Sequence, residues 1–274
     1  MAILARRVNA ERVLLLGWSR AVLLQLAHPL VAAGVAEHST FRGGRLTAAK
    51  RLHQTVHAML ALTFGDDAQY TLAISKIRAI HRRVHGRLPA AVGPFPAGTS
   101  YSAEDPVLLL WVHATLVESI VLAYDALVSP LSRRDRDIYC REAAPTAVAL
   151  GADENEVPRT WVELVEYVDR VHASGVLVVS DAAHELADAV LSPPMAWLSG
   201  PVAWVNRLLT RAWLPSAIRE QYGWGWDARD ERRLRSVMRV LRAAHRATPP
   251  VLRVWSEARH SFSDLAHDIS RPRA

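Results

Sequence analysis

Apolar positions recur every three or four residues along almost the whole chain. Leu14, Leu15, Trp18, Val22 and Leu26 form one such run, and Val107, Leu110, Val112, Leu116, Val117 and Ile120 another. This spacing puts apolar side chains on one helical face, whereas a strand would alternate. The pattern predicts an all-α fold, with helices over 10–27, 29–36, 45–64, 68–86, 104–128, 132–150, 158–173, 182–191, 201–211, 214–221, 228–247 and 249–257. Ser102-Ala103-Glu104-Asp105-Pro106 offers a cap, early acids and a first-turn proline, and Ser132 precedes a further helix. Gly65, Gly86 and Gly151 mark stops. The Gly/Pro-rich stretch 87–103 lies between two helices rather than between two different compositions. A single globular multi-helix domain over 1–260 is therefore expected, with a tail at 261–274.

Composition narrows the function. Half of the 274 residues are apolar, enough for a sizeable core. A net charge of +6 and a pI near 10.0 invite a nucleic-acid or acidic-membrane partner. The cations are almost all arginine, however, with lysine only at Lys50 and Lys76, in a chain rich in Ala, Val and Leu. GC-rich coding produces that skew, so charge alone does not argue for nucleic acid, and none is expected as a partner. The single Cys140 excludes an internal disulfide and a multi-cysteine zinc site. The N-terminus carries charges inside its apolar run and has no small-residue cleavage site. The uncharged stretches 21–36 and 189–206 fall short of the roughly 20 apolar residues that a spanning helix needs. A cytoplasmic protein without a transmembrane segment is expected.

Histidine carries the candidate chemistry. The stretch "SKIRAIHRRVHGRLP", residues 75–89, holds two histidines and four arginines. Continued as a helix, it lines up Arg78, His81 and His85 beside Ile74, Ile77 and Ile80, a stripe expected to be partly buried. Buried His and Arg need partners, and carboxylates in a helix interface would satisfy them without any ligand. In "AAKRLHQTVHAML", Arg51, Gln54 and Thr55 share a second stripe. His53 and His57 form a separate pair four residues apart, with chelating spacing but no third ligand. "QLAHPLVAAGVAEHSTF" brings His28, Glu37 and His38 onto a small-residue segment. "LWVHATLVES" sets His113 in an apolar helix, where a core histidine is the plainer reading. There is no Gly-rich phosphate loop, no G-x-S-x-G elbow and no two paired Glu-x-x-His motifs of the di-iron bundles, and Cys140 has no evident base.

Taken in order, "LLLGWSRAVLLQLAHPLVAAGVAEHSTF", "RLHQT", "IRAIHRRVHG", "GTSYSAEDPVLLLWVHATLVES" and "LPSAIREQYGWGWDARDERRLR" resemble the family of latex-clearing rubber oxygenases and the fungal mycophenolic-acid oxygenase. The resemblance covers about residues 12–257. It implies an all-helical domain holding a b-type haem between helices. The family's Arg-x-x-His-x-x-Val-Arg helix would supply the axial iron ligand, which falls here on His81, with Arg78 beside it. Its upstream Arg-x-x-Lys-Thr matches Arg51, Gln54 and Thr55 on the distal side. Two positions depart from the pattern: Gln54 stands in place of the lysine, and His85 in place of the second arginine.

The resemblance thus implies a haem-b oxygenase, or a related oxidative enzyme, that acts with dioxygen on a hydrophobic, unsaturated small molecule. Catalytic roles are expected for Arg51, Gln54, Thr55, Glu37 and His38, and cofactor contacts for His81, Arg78, His85, His28 and His113. A non-catalytic haem- or lipid-binding module is the alternative, separated from it by turnover under oxygen. A basic nucleic-acid binder would instead show steep salt dependence and no cofactor spectrum. The sequence leaves the oligomeric state, the electron donor and the substrate's identity open.

Overall fold

The computed structural model describes residues 2–38, 45–191 and 199–259, with the side chains of 45–53 and 199 outside that description. Its centre is α6 (Pro106–Leu127), which packs against α2 (Leu15–Leu26), α7 (Arg133–Leu150), α8 (Trp161–Ala173) and α12 (Ala228–Ala247). By length and a mean hydropathy of 1.9, α6 could cross a membrane, but 67% of that window is buried inside the protein. Helices α2 and α6 run antiparallel. Arg20 reaches Ser119, and Gln25 Nε2 donates to the Val112 carbonyl. Gly17 permits this closeness, because a Cβ there would sit 2.8 Å from the Ala123 methyl and 3.0 Å from the Ser119 carbonyl oxygen.

Around this pair the chain adds α1 (Ile3–Asn9), the 3-10 turn Arg12–Leu14, α3 (Pro29–His38), α4 (Arg45–Phe64), α5 (Asp67–His81), α9 (Asp181–Leu191), α10 (Ser199–Trp213), α11 (Ser216–Gln221) and α13 (Pro250–Arg253). The all-α expectation holds, and side chains stop the backbone amides at many helix starts. Asp66 with Gln69 and Thr160 with Glu163 form reciprocal capping boxes. Asp105 caps α6 through Val107 N–H, and Ser132 caps α7 through Asp135 N–H. Gly151, at φ 116°, ends α7 in the left-handed region.

Three departures have tertiary causes. The short α1 was not expected; the Glu142 carboxylate on α7 accepts from Ile3 and Ala5 N–H and so caps it from a distance. The helix expected over 249–257 is interrupted at Val254, which pairs with Glu11 while Trp255 N–H donates to the Ala10 carbonyl. The helix expected over 68–86 ends at His81. His85–Arg87 instead form β1, antiparallel to β2 (Ser100–Ser102), with Gly86 opposite Tyr101. Pro89 disfavours helical backbone in the residue before it, and Ala103 N–H draws the Val84 carbonyl out of the helical ladder. His85 therefore does not extend a helical stripe with Arg78 and His81. The expected tail, 261–274, lies outside the described residues.

Candidate functional site

Four segments meet beside this hairpin: the end of α2, α3, the end of α5 and the start of α6. His81, the last residue of α5, is partly buried, and its Nδ1 is buried without a hydrogen-bond partner. Burial lowers its pKa, an effect opposed by the Glu104 carboxylate and reinforced by the Arg78 guanidinium. His28, just past α2, is buried, and its Nδ1 is likewise without a partner. Its ring lies 5.4 Å from that of Phe95, and burial pushes its pKa down to about 4 against the pull of Asp105. The two acids at the start of α6 thus act on the two orphaned imidazoles, both of which are kept neutral near pH 7.

A second group lies along the hairpin. Tyr101 O–H donates to the Glu37 carboxylate, and burial followed by the Glu37 hydrogen bond and charge raises the phenol's pKa. His38 Nε2 is 3.1 Å from the His85 carbonyl, and its ring stands 6.5 Å from that of His85 and 6.4 Å, edge-on, from that of Tyr101. Gly86 closes the group: a Cβ there would lie 2.7 Å from Tyr101 Cζ and 3.1 Å from Glu37 Oε2. His85 has left the α5 stripe yet rejoins the site by this route.

The other expected residues are spread more widely. Arg78 and Ile80 are exposed, so the α5 stripe is buried only in part. Gln54 and Thr55 are exposed on α4, which forms over the expected 45–64; the side chains of Arg51 and His53 lie outside the described residues. His57 is exposed and its charge acts on Glu257. The opposite face of α4 lines an apolar pocket, partly open to solvent, with Leu14, Trp18, Met59, Leu60, Phe64 and Trp255. His113 is on α6, its pKa pushed down to about 4 by burial. Cys140 is buried and its thiol is pushed up to about 12, which keeps it protonated.

The residues fit a haem in one specific respect. Among the described residues, no group of three or more His, Cys, Asp or Glu could hold a bare metal ion. A metal that brings its own equatorial ligands needs only a neutral imidazole with a free nitrogen, and His81 and His28 both offer that.

The profile of the family described as "ER-bound oxygenase mpaB/B'/Rubber oxygenase, catalytic domain" matches residues 5–243. The chain belongs to this family. It is therefore a member of an oxygenase catalytic-domain family, and its all-helical architecture agrees with the resemblance read from the motifs. Uncharacterized proteins of Mycobacterium bovis and Mycobacterium tuberculosis are each 28% identical to it over 239 residues, covering 85% of this chain and 89% of theirs. No solved structure matches.

Within this oxygenase-family domain, Tyr101, Phe95, Glu104 and Asp105 are site neighbours that the reading of motifs did not single out. A signal for Tyr101 was present in Thr99-Ser100-Tyr101, a β-favouring run directly after Gly98.

Proposed function

We propose that this protein is a haem-b-dependent oxygenase that works in the cytoplasm on a hydrophobic, unsaturated small molecule with dioxygen as co-substrate. The observation that carries the reading is the buried, unpartnered ring nitrogen of His81, at the sequence position where the family pattern carries its axial ligand. The haem, when bound, supplies the iron that activates dioxygen. The chain supplies the rest. His81 is a neutral donor, because burial holds the proton off the ring at neutral pH. Arg78 and His85 are cationic or hydrogen-bonding partners for propionates. His28 and Phe95 form an apolar wall. Arg51, Gln54 and Thr55 are assigned to hydrogen-bonding dioxygen. The Tyr101–Glu37 pair, with His38 alongside, holds a proton that the raised phenol pKa keeps on the pair.

The test is a hemin titration followed by visible spectra of the oxidised and reduced protein, then oxygen uptake with a panel of unsaturated apolar compounds. A Soret band and substrate-dependent oxygen consumption are expected. A protein that forms no Soret complex at saturating hemin refutes the proposal. One that binds haem but consumes no oxygen with any substrate is a haem carrier instead.

A further inference from the structure

Helix α12 carries seven arginines in its 20 residues, at 229, 232, 233, 235, 239, 242 and 246. Five of them, Arg232, Arg235, Arg239, Arg242 and Arg246, follow at steps of three and four, which places them on one helical face. All five are exposed, while Leu234, Val237, Met238 and Leu241 point to the less exposed side, where α12 meets α6 and α10. Two members of the row are engaged within the protein: Arg235 with Glu231 at 3.8 Å, and Arg242 Nε with the Ala126 carbonyl. Arg232 and Arg246 have no carboxylate partner among the described residues, and Arg239 reaches only the Ser236 hydroxyl at 3.4 Å. At 1.5 Å per residue, Arg232 to Arg246 spans about 21 Å.

Like charges at these spacings repel and weaken a helix. On this face no described carboxylate offsets the repulsion at Arg232, Arg239 or Arg246. An external anion would. Just past the row, after the turn at Thr248 and Pro249, come two exposed aliphatics, Val251 at 52% and Leu252 at 62%. We propose that this face of α12, with the start of α13, docks on an anionic lipid bilayer. Guanidinium forks pair with headgroup phosphates, and Val251 and Leu252 enter the boundary between headgroups and acyl chains. A nucleic-acid duplex would satisfy the arginines but offer nothing comparable to the two exposed aliphatic side chains. The proposal stands independently of the haem reading.

The test uses the full chain with vesicles of phosphatidylcholine alone and of phosphatidylcholine mixed with phosphatidylglycerol. Sedimentation is read at low and high salt, with circular dichroism to confirm folding. The wild type is expected to bind the anionic vesicles, weakly or not at all the neutral ones, and to lose binding as salt rises. Replacing Arg232, Arg239 and Arg246 together by Gln should lower partitioning by about fivefold per arginine, about a hundredfold in all. The variant V251S/L252S should weaken binding by a factor that salt changes little. Failure of the wild type to bind anionic vesicles overturns the proposal, as does undiminished binding by the triple variant. Salt-sensitive binding to duplex DNA that the triple variant loses, with no vesicle binding, would assign the face to nucleic acid instead.

Discussion

The phenol of Tyr101 donates to the carboxylate of Glu37 and so fastens β2 to the last turn of α3, while Gly86, opposite Tyr101 in the hairpin, leaves room for that contact. Tyr101→Phe removes a donor to a charged acceptor and should cost about 1–2 kcal/mol. Gly86→Ala forces a methyl against the ring and carboxylate and should cost about 1–3 kcal/mol. Because the phenol oxygen is the methyl's nearest neighbour, the double variant should cost less than the two single changes together. Urea denaturation of the four proteins checks this. Strict additivity would mean that Gly86 is not there to make room for the phenol.

For the haem proposal, His81→Ala should abolish the Soret band that hemin forms with the wild type, with circular dichroism unchanged. His57→Ala should keep it, since His57 is exposed and acts on Glu257, far from the orphaned nitrogens in sequence and partner. Arg78→Ala should weaken hemin affinity by about tenfold or less, because an exposed guanidinium gains little from a screened ion pair. The chain's one cysteine, Cys140, rules out a Cys-x-x-Cys-His attachment, so a pyridine hemochrome assay should report extractable haem b. Full occupancy in His81→Ala would move the ligand assignment to His28.

Much of this was legible in the chain, and what was missed has a common cause. Helical periodicity and local caps are properties of a few neighbouring residues, so α4, α7 and α12 fall where the spacing puts them. The break after His81 was not legible as a strand, because β1 exists only through pairing with Ser100–Ser102, on the far side of a loop. Likewise Glu37 could be chosen as a proton-handling group from its motif, but its partner Tyr101 is 64 residues away. Glu104 and Asp105 read as helix-start acids, a role Asp105 does play. Their electrostatic action on His81 and His28 emerges only once α2, α5 and α6 are packed.

Acid should destabilise the protein in a window set by His28. Its folded pKa of about 4 lies below the ordinary 6.5, so between those values the unfolded chain binds the proton and the folded one does not. Stability from this group is therefore complete above about pH 6.5 and declines towards pH 4, by roughly 3 kcal/mol at 1.36 kcal/mol per pH unit. His28→Phe keeps an aromatic ring against Phe95 and has no proton to take up. Its unfolding free energy should fall less steeply than that of the wild type between pH 6.5 and 4. Parallel curves for the two proteins would mean that His28 titrates normally in the fold.

Arg20 is a buried cation, 3% exposed, between α2, α6 and α10. Its NH1 lies 2.9 Å from Glu118 Oε2 and 2.7 Å from Ser119 Oγ, and its Nε donates to the Trp213 carbonyl at 2.8 Å. Glu118→Gln keeps the shape but leaves a buried cation that cannot shed its proton, and should cost about 3 kcal/mol. Arg20→Met leaves a carboxylate that is 20% exposed and keeps part of its hydration, so it should cost less, about 2 kcal/mol. The double variant removes both charges and should cost less than the two single changes summed, because neither charge is then stranded. Urea denaturation of the wild type and the three variants decides the matter: strict additivity in the double variant would show that neither charge is stranded by loss of the other, and the pair would then be a surface ion pair in energetic terms despite its place in the core.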